Sequence, residues 1–349
     1  VALMMSQTGG GCRASNYIHL IRKALKNQGL SHIPVISFNV SGLEKNPGFK
    51  LGPRTILQLL SAVNYGDVLM SLSNQTRPYE LHKGETDALV SAWQKKILEE
   101  MKNPVKLRPK HIIKNIEQIA RDFEQIERDD TPRVKVGIVG EIYIKYAALG
   151  NNNLEELLAD EGAEIVMPSL LGFVMYCIYN VVNDYRLYKT SYLLSVGGKI
   201  LMNFLYNYQD KMNKAITDNS NFATTHNFSH TIDIARGYID TGVKMGEGWF
   251  LTAEMLELID MGVDNIICTQ PFGCLPNHIV GKGMMRLLKK NFPTSNIVAI
   301  DYDASATRIN QENRIKLMLS MAKKNLEQSL SNEPDKQRYA THTLVEAAI

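Results

Sequence analysis

The chain reads as an α/β protein of two doubly wound, mostly parallel-sheet domains with a helical insertion. Three observations predict this. Short β-branched apolar runs alternate with helix-period stretches at both ends of the sequence. The 349 residues match roughly two domains at about 150 residues each. Turn formers and charge at Asp129-Asp130-Thr131-Pro132 separate two segments that each begin strand, helix, strand. The expected division is residues 1–130 as an α/β domain with a helical extension, 131–330 as a second α/β domain, and 331–349 as a polar tail.

The elements follow in order. Ala2 to Met5 is a short apolar strand, and Ser6 to Gly11 is a loop with three consecutive glycines. Ile18, Ile21 and Leu25 recur at helical spacing, and Gly29 suits the residue after a helix end. Ile33 to Phe38 is a second strand, which makes a βαβ unit with a right-handed crossover. Pro53 opens a helix carrying Ile56, Leu59, Leu60 and Val63 on one face. Leu89, Trp93, Ile97 and Met101 mark a second helix. Ile112, Ile116, Ile119, Phe123 and Ile126 mark a third, whose stripe reads as ordinary packing rather than a coiled-coil seam.

Val134 to Val139 starts the second βαβ unit, followed by a helix from Leu154 to Asp160 and a strand from Ala163 to Met167. Residues 170–218 read as mainly helical, with Cys177 in the core. Then come a helix from Thr252 to Met261, a strand from Asn265 to Cys268, a loop from Thr269 to Pro276, and a helix from His278 to Lys290. A strand from Ile297 to Ile300 and a helix from Ile309 to Leu326 finish the pattern.

Composition excludes some classes. With 44% apolar and 21% charged residues the chain is globular rather than disordered or fibrous. Thirty-nine basic against 36 acidic residues leave +3, which gives no electrostatic argument for nucleic acid or an anionic membrane. The longest greasy stretch, Leu170 to Val182, is broken by Gly172 and Asn180 and is too short to span a bilayer. Four cysteines without a CxxC pair make neither a disulfide scaffold nor a zinc ribbon. The start, Val1-Ala2-Leu3-Met4-Met5, reads as a strand entered in mid-fold, and a piece of a longer polypeptide is expected.

Ligands of open parallel sheets gather beyond the carboxyl ends of strands. Two loops there share a design: Gln7-Thr8-Gly9-Gly10-Gly11-Cys12 and Thr269-Gln270-Pro271-Phe272-Gly273-Cys274. Each follows a strand, places Gly before Cys and leads into a helix, whose positive end favours a thiolate. Gly9, Gly10, Gly11 and Gly273 would let backbone amides approach a bulky inorganic or phosphate-like group. Cys268 is read equally as a further ligand or a core residue. Glu141, at a strand's carboxyl end, is a candidate polar group. His278 is a candidate donor to a cluster or substrate, or a simple cap.

Other motifs point less far. Gly9-x-Gly11-x-x-Ala14 matches the dinucleotide fingerprint loosely, but the second strand ends at Phe38-Asn39 with no acid before Glu44. Gly273 to Lys282 lacks the spacing of a phosphate-binding P-loop. His226 and His230 are four apart, yet no carboxylate or thiol sits nearby in sequence, so structural roles are expected.

The segment Gln7 to Tyr17 resembles a stretch of proteins related to acyl-CoA dehydratase activases, within the 2-hydroxyacyl-CoA dehydratase and benzoyl-CoA reductase superfamily. Cys268 to His278 resembles that family's second hallmark. Val136 to Glu141, Gly150 to Leu154 and Asn310 to Lys316 are similar to its signature stretches, so the resemblance runs to about Lys324. It implies a dehydratase- or reductase-like part with a cysteine-bound iron–sulfur cluster, of the 4Fe-4S kind. The metal ligands it implies are Cys12, Cys274 and, as a further candidate, Cys268. Its implied partners are an ATP-hydrolysing activase domain or subunit that supplies low-potential electrons, and an acyl-CoA substrate. The family carries further cysteines upstream of the Gln-Thr-Gly-Gly-Gly segment.

The leading expectation is thus an electron-transferring component in the cytoplasm of an anaerobe. Two others stand beside it: a non-catalytic scaffold or regulatory module that docks the activase, and a metal-free CoA- or nucleotide-binding domain. A homo-oligomer is compatible with all three.

Overall fold

The computed structural model describes residues 1–7, 13–38, 52–303 and 306–332. It is an α/β structure in which every strand pairing within the sheets is parallel. Cys12, Gly9, Gly10 and Gly11 lie outside the described residues, as does nearly all of the polar tail.

The amino-terminal unit is β1 (Leu3–Ser6), α1 (Tyr17–Asn27) and β2 (Val35–Phe38), with β1 and β2 paired in parallel. Gln7, just past β1, accepts a hydrogen bond from Ser37 Oγ at 2.6 Å and donates Nε2 to Ser15 O at 2.9 Å. It ties the end of β1 to β2 and to the entry of α1.

Three helices follow: α2 (Pro53–Thr76), α3 (Glu85–Glu100) and α4 (Pro109–Glu124). Proline stands at the first helical position of α2 and of α4, where its missing N–H is not needed. Ile112, Ile116, Ile119 and Phe123 of α4 are buried, so its stripe packs onto a core. That core also holds residues from α7 (Leu170–Tyr188), α8 (Tyr192–Thr217), α9 (Phe228–Ala235) and α10 (Trp249–Asp260). Helices on both sides of the Asp129–Pro132 turn therefore share one apolar interior. Asp67 of α2 reinforces it by accepting the N–H groups of Leu170 and Leu171, both at 2.8 Å, at the start of α7.

The main sheet has the order β4-β3-β5-β6. Its strands are β3 (Lys135–Gly140), β4 (Glu164–Val166), β5 (Asn265–Pro271) and β6 (Asn296–Tyr302). Alternation along the strands sends Val136, Ile138, Ile267 and Ile300 to one face. There they meet Ile144 of α5 (Ile142–Tyr146), Leu154 and Leu158 of α6 (Leu154–Asp160), and Ile315 and Leu319 of α12 (Arg308–Asn332). Val139, Ile266, Cys268 and Ala299 point the other way, onto α10 and Leu288 of α11 (Met285–Asn291). A parallel sheet covered on both faces explains why its strands are nearly continuously apolar.

Three local readings are corrected. β5 runs on to Pro271, because Thr269, Gln270 and Pro271 pair with Ile300, Asp301 and Tyr302. The stretch 278–290 is not one helix: a wide π turn at Asn277–Gly281 and a 3₁₀ turn at Lys282–Met284 precede α11. Gly281 lies close against Cys268, and an added Cβ there would come within 3.1 Å of its sulfur. Cys177 is exposed rather than in the core, because Met175 and Tyr176 take the inward positions of α7. Among the described residues no helix is long and apolar enough to cross a membrane.

Candidate functional site

In the main sheet the chain passes from β3 to β4 on one side and then to β5 on the other. The strand order thus reverses between β3 and β5, and their carboxyl ends open the crevice where such sheets take ligands. The two strands meet tightly. Gly140 has φ +138, and a Cβ there would lie 1.9 Å from Thr269 O, so only glycine fits. Directly beyond it, Glu141 N–H donates to Thr269 O at 3.0 Å.

Glu141 is buried at this edge, and its Oε2 accepts the Ile144 N–H at 2.8 Å. It is the N-cap of α5, so part of its polarity serves the helix. The neighbouring Ile142 N–H goes to Glu247 Oε1 at 3.2 Å. Glu247 sits between Gly246 and Gly248, both at positive φ, just before α10. Burial pushes its carboxyl up, against its backbone hydrogen bonds and the nearby Lys145. Lys145 Nζ and Glu254 Oε1 form an ion pair at 2.8 Å with both side chains 2% exposed. Burial pulls the Lys145 ammonium down, but Glu254 more than restores it, and the lysine stays protonated. Neither Glu247 nor this pair is legible in the sequence. The only local signal is a glutamate held between two glycines.

The β5 loop forms the other wall. Cys274 is buried, and its sulfur accepts the Asn277 amide at 3.2 Å. Gly273 takes φ +72, and its N–H donates to His278 Nε2 at 3.3 Å, so His278 secures the turn. Pro276 packs on Gly246, where an added Cβ would come within 2.8 Å of its ring, and this brings the Cys274 loop against the Glu247 loop. Tyr17 of α1 packs against Cys274. Two buried oxygens here, Gln270 Oε1 and Asn277 Oδ1, have no hydrogen-bond partner.

Cys268 lies within β5, wholly buried among Met255, Leu256 and Leu258. Burial pushes its thiol up to about 12, which opposes a thiolate. The rim joins two further stretches singled out in the sequence. Asn152 Nδ2 donates to Gln311 Oε1 at 2.7 Å, and Gln311 Nε2 donates to Asp301 O at 2.9 Å.

A four-iron cluster ordinarily takes four thiolates. Among the described residues, Cys274 suits that role, Cys268 is held neutral, and Cys177 is exposed on α7. The described residues alone therefore do not fit such a cluster. Comparison with protein-family models, curated proteins and solved structures finds no match for this chain.

Proposed function

We propose that the chain is a dehydratase- or reductase-like component that receives low-potential electrons from an ATP-dependent activase and acts on an acyl-CoA. In this reading it consists of two doubly wound, mostly parallel-sheet domains with a helical insertion, and it works in the cytoplasm of an anaerobe. One observation carries the reading. Tyr17, at the start of α1, packs on Cys274, so the amino-terminal βαβ unit meets the Cys274 loop. Cys12 and Cys274 are the ligands assigned to an iron–sulfur cluster. When bound, the cluster would supply single low-potential electrons. The chain's own residues would act around it. Asn277 donates to the Cys274 sulfur, a contact of the type that tunes potential. Glu247, buried with its carboxyl pushed up, is the acid–base group that the chain would place at the crevice.

Anaerobic reconstitution with iron and sulfide tests this. The expected result is a brown protein with about four irons per chain, bleached by dithionite. Cys274→Ser should abolish the colour and Cys177→Ser should not. A colourless protein rejects the reading, and activity that survives Cys12→Ala supports a docking scaffold instead.

A second reading is favoured by the unpartnered Gln270 Oε1 and Asn277 Oδ1, which could accept donors from a ligand. It is a metal-free CoA- or nucleotide-binding crevice. Calorimetry with a CoA thioester on metal-free protein separates the two: binding lost in Asn277→Ala supports it, and no heat rejects it.

A further inference from the structure

At the far end of α10 from Glu247, three side chains from distant positions converge. The helix has 12 residues, which places this cluster about 18 Å from the crevice. His226 precedes α9, His230 lies in its first turn, and Asp260 is the last residue of α10. His226 Nε2 lies 3.3 Å from Asp260 Oδ2, and His230 Nε2 lies 2.8 Å from the same oxygen. The two rings are 4.4 Å apart, centre to centre. Among the described residues this is the one set of three His, Cys, Asp or Glu groups whose ligating atoms all lie within 4.8 Å of one another.

The other carboxylate oxygen is the second observation. Asp260 is 6% exposed, and its Oδ1 is buried without a hydrogen-bond partner. A buried carboxylate normally fills both oxygens, and leaving one empty forfeits solvation. Two imidazoles are aimed by the same nitrogen at that carboxylate, beside its unfilled oxygen. A simple ion pair needs one histidine and no empty oxygen.

The site is also built in advance. Gln209 accepts the Phe228 N–H at 2.9 Å and donates to His226 O at 3.2 Å, which fixes the backbone on both sides of His226. Asn227 caps α9 through Ser229 N at 3.1 Å and reaches Tyr206 O on α8 at 3.1 Å. Thr231 donates to Glu257 at 3.0 Å, pinning α9 to α10 beside the cluster. Ligand-bearing backbone held this firmly loses little entropy on binding a cation.

We infer that His226, His230 and Asp260 form a binding site for a single divalent transition cation of the zinc class, which clips α9 to the end of α10. Two imidazoles and one carboxylate suit zinc, whereas magnesium and calcium prefer all-oxygen sets. His226 is 42% exposed, so a fourth position faces solvent and would hold water. The inference does not rest on the reading of the crevice.

The test uses tag-free chain stripped with chelator and titrated with Zn²⁺ alone against a chromogenic indicator, then with Co²⁺. The expected result is one equivalent bound at micromolar or lower Kd, a raised Tm, and a cobalt visible spectrum of nitrogen and oxygen ligation. His226→Ala, at an exposed position before the helix, should keep the circular dichroism spectrum and weaken binding by about 100-fold. His230→Ala should do the same. No binding with Zn²⁺ raised to about 100 μM overturns the inference, and so does binding that survives both variants, since that zinc would sit on thiols.

Discussion

The two parallel sheets begin with the same local pattern and end in different surroundings. In the main sheet, Val136, Ile138 and Val139 are wholly buried, because helices cover both faces. In the amino-terminal pair, Leu3 is 38% and Met4 60% exposed, although Ile18 of α1 is fully buried. The βαβ pattern specifies parallel pairing and a crossover in both places. Burial is a separate matter, set by whatever packs on the outer face. A strand's sequence thus reports its neighbours along the chain better than its neighbours in space.

Substitutions can break this comparison at several strengths. The largest effect belongs to Lys145→Met. It removes the partner of the buried Glu254, whose carboxyl burial already pushes up, so urea unfolding should show a loss of about 3–5 kcal/mol. The double variant Lys145→Met/Glu254→Met should recover most of it; equal loss in both would mean the lysine acts through packing, not charge. Next is Ile138→Ala, which opens a cavity between β3 and the helices and should cost about 3 kcal/mol in the same measurement.

The helices between the two sheets add a pH dependence. Burial raises Asp67 to about 6, against the N–H groups of Leu171 and Leu170 and the charge of Lys145. The folded chain therefore keeps this proton to higher pH than the unfolded chain does. Its contribution is fully present below about pH 4 and is lost as pH rises through about 6. Asp67→Asn should flatten that part of a plot of urea midpoint against pH, a span of about 3 kcal/mol; an unchanged slope would place the titration elsewhere. The smallest effect is Met4→Ala, which should stay within about 0.5 kcal/mol. A loss near that of Ile138→Ala would show that β1 is covered as fully as β3.

Much of the architecture was legible residue by residue. The α4 stripe, the β3 run and the proline start of α2 fall where spacing puts them. The β5 boundary was not, since Thr269 and Gln270 look like loop residues until β6 pairs with them. Cys177 looked apolar by its neighbours, but rotation about α7 turns it outward. At the site, Glu141 was singled out at a strand end, Cys274 in a strand-to-helix loop and His278 just after it, and Glu141 and His278 turn out to hold local turns. Glu247, Lys145 and Glu254 were missed because ordinary charged residues carry no motif.

The sequence by itself determined the alternation of strand and helix, the parallel pairing, and the Gly273-Cys274 turn between β5 and the next helical segment. Those features depend on periodicity and on residues close along the chain. Only the tertiary structure decided which acids would be buried together and which histidines would meet a carboxylate. Asp260 stands 30 residues beyond His230, and only the packing of α9 on α10 closes that gap. Contacts across such distances follow from how helices seat on one another, and no local spacing encodes them.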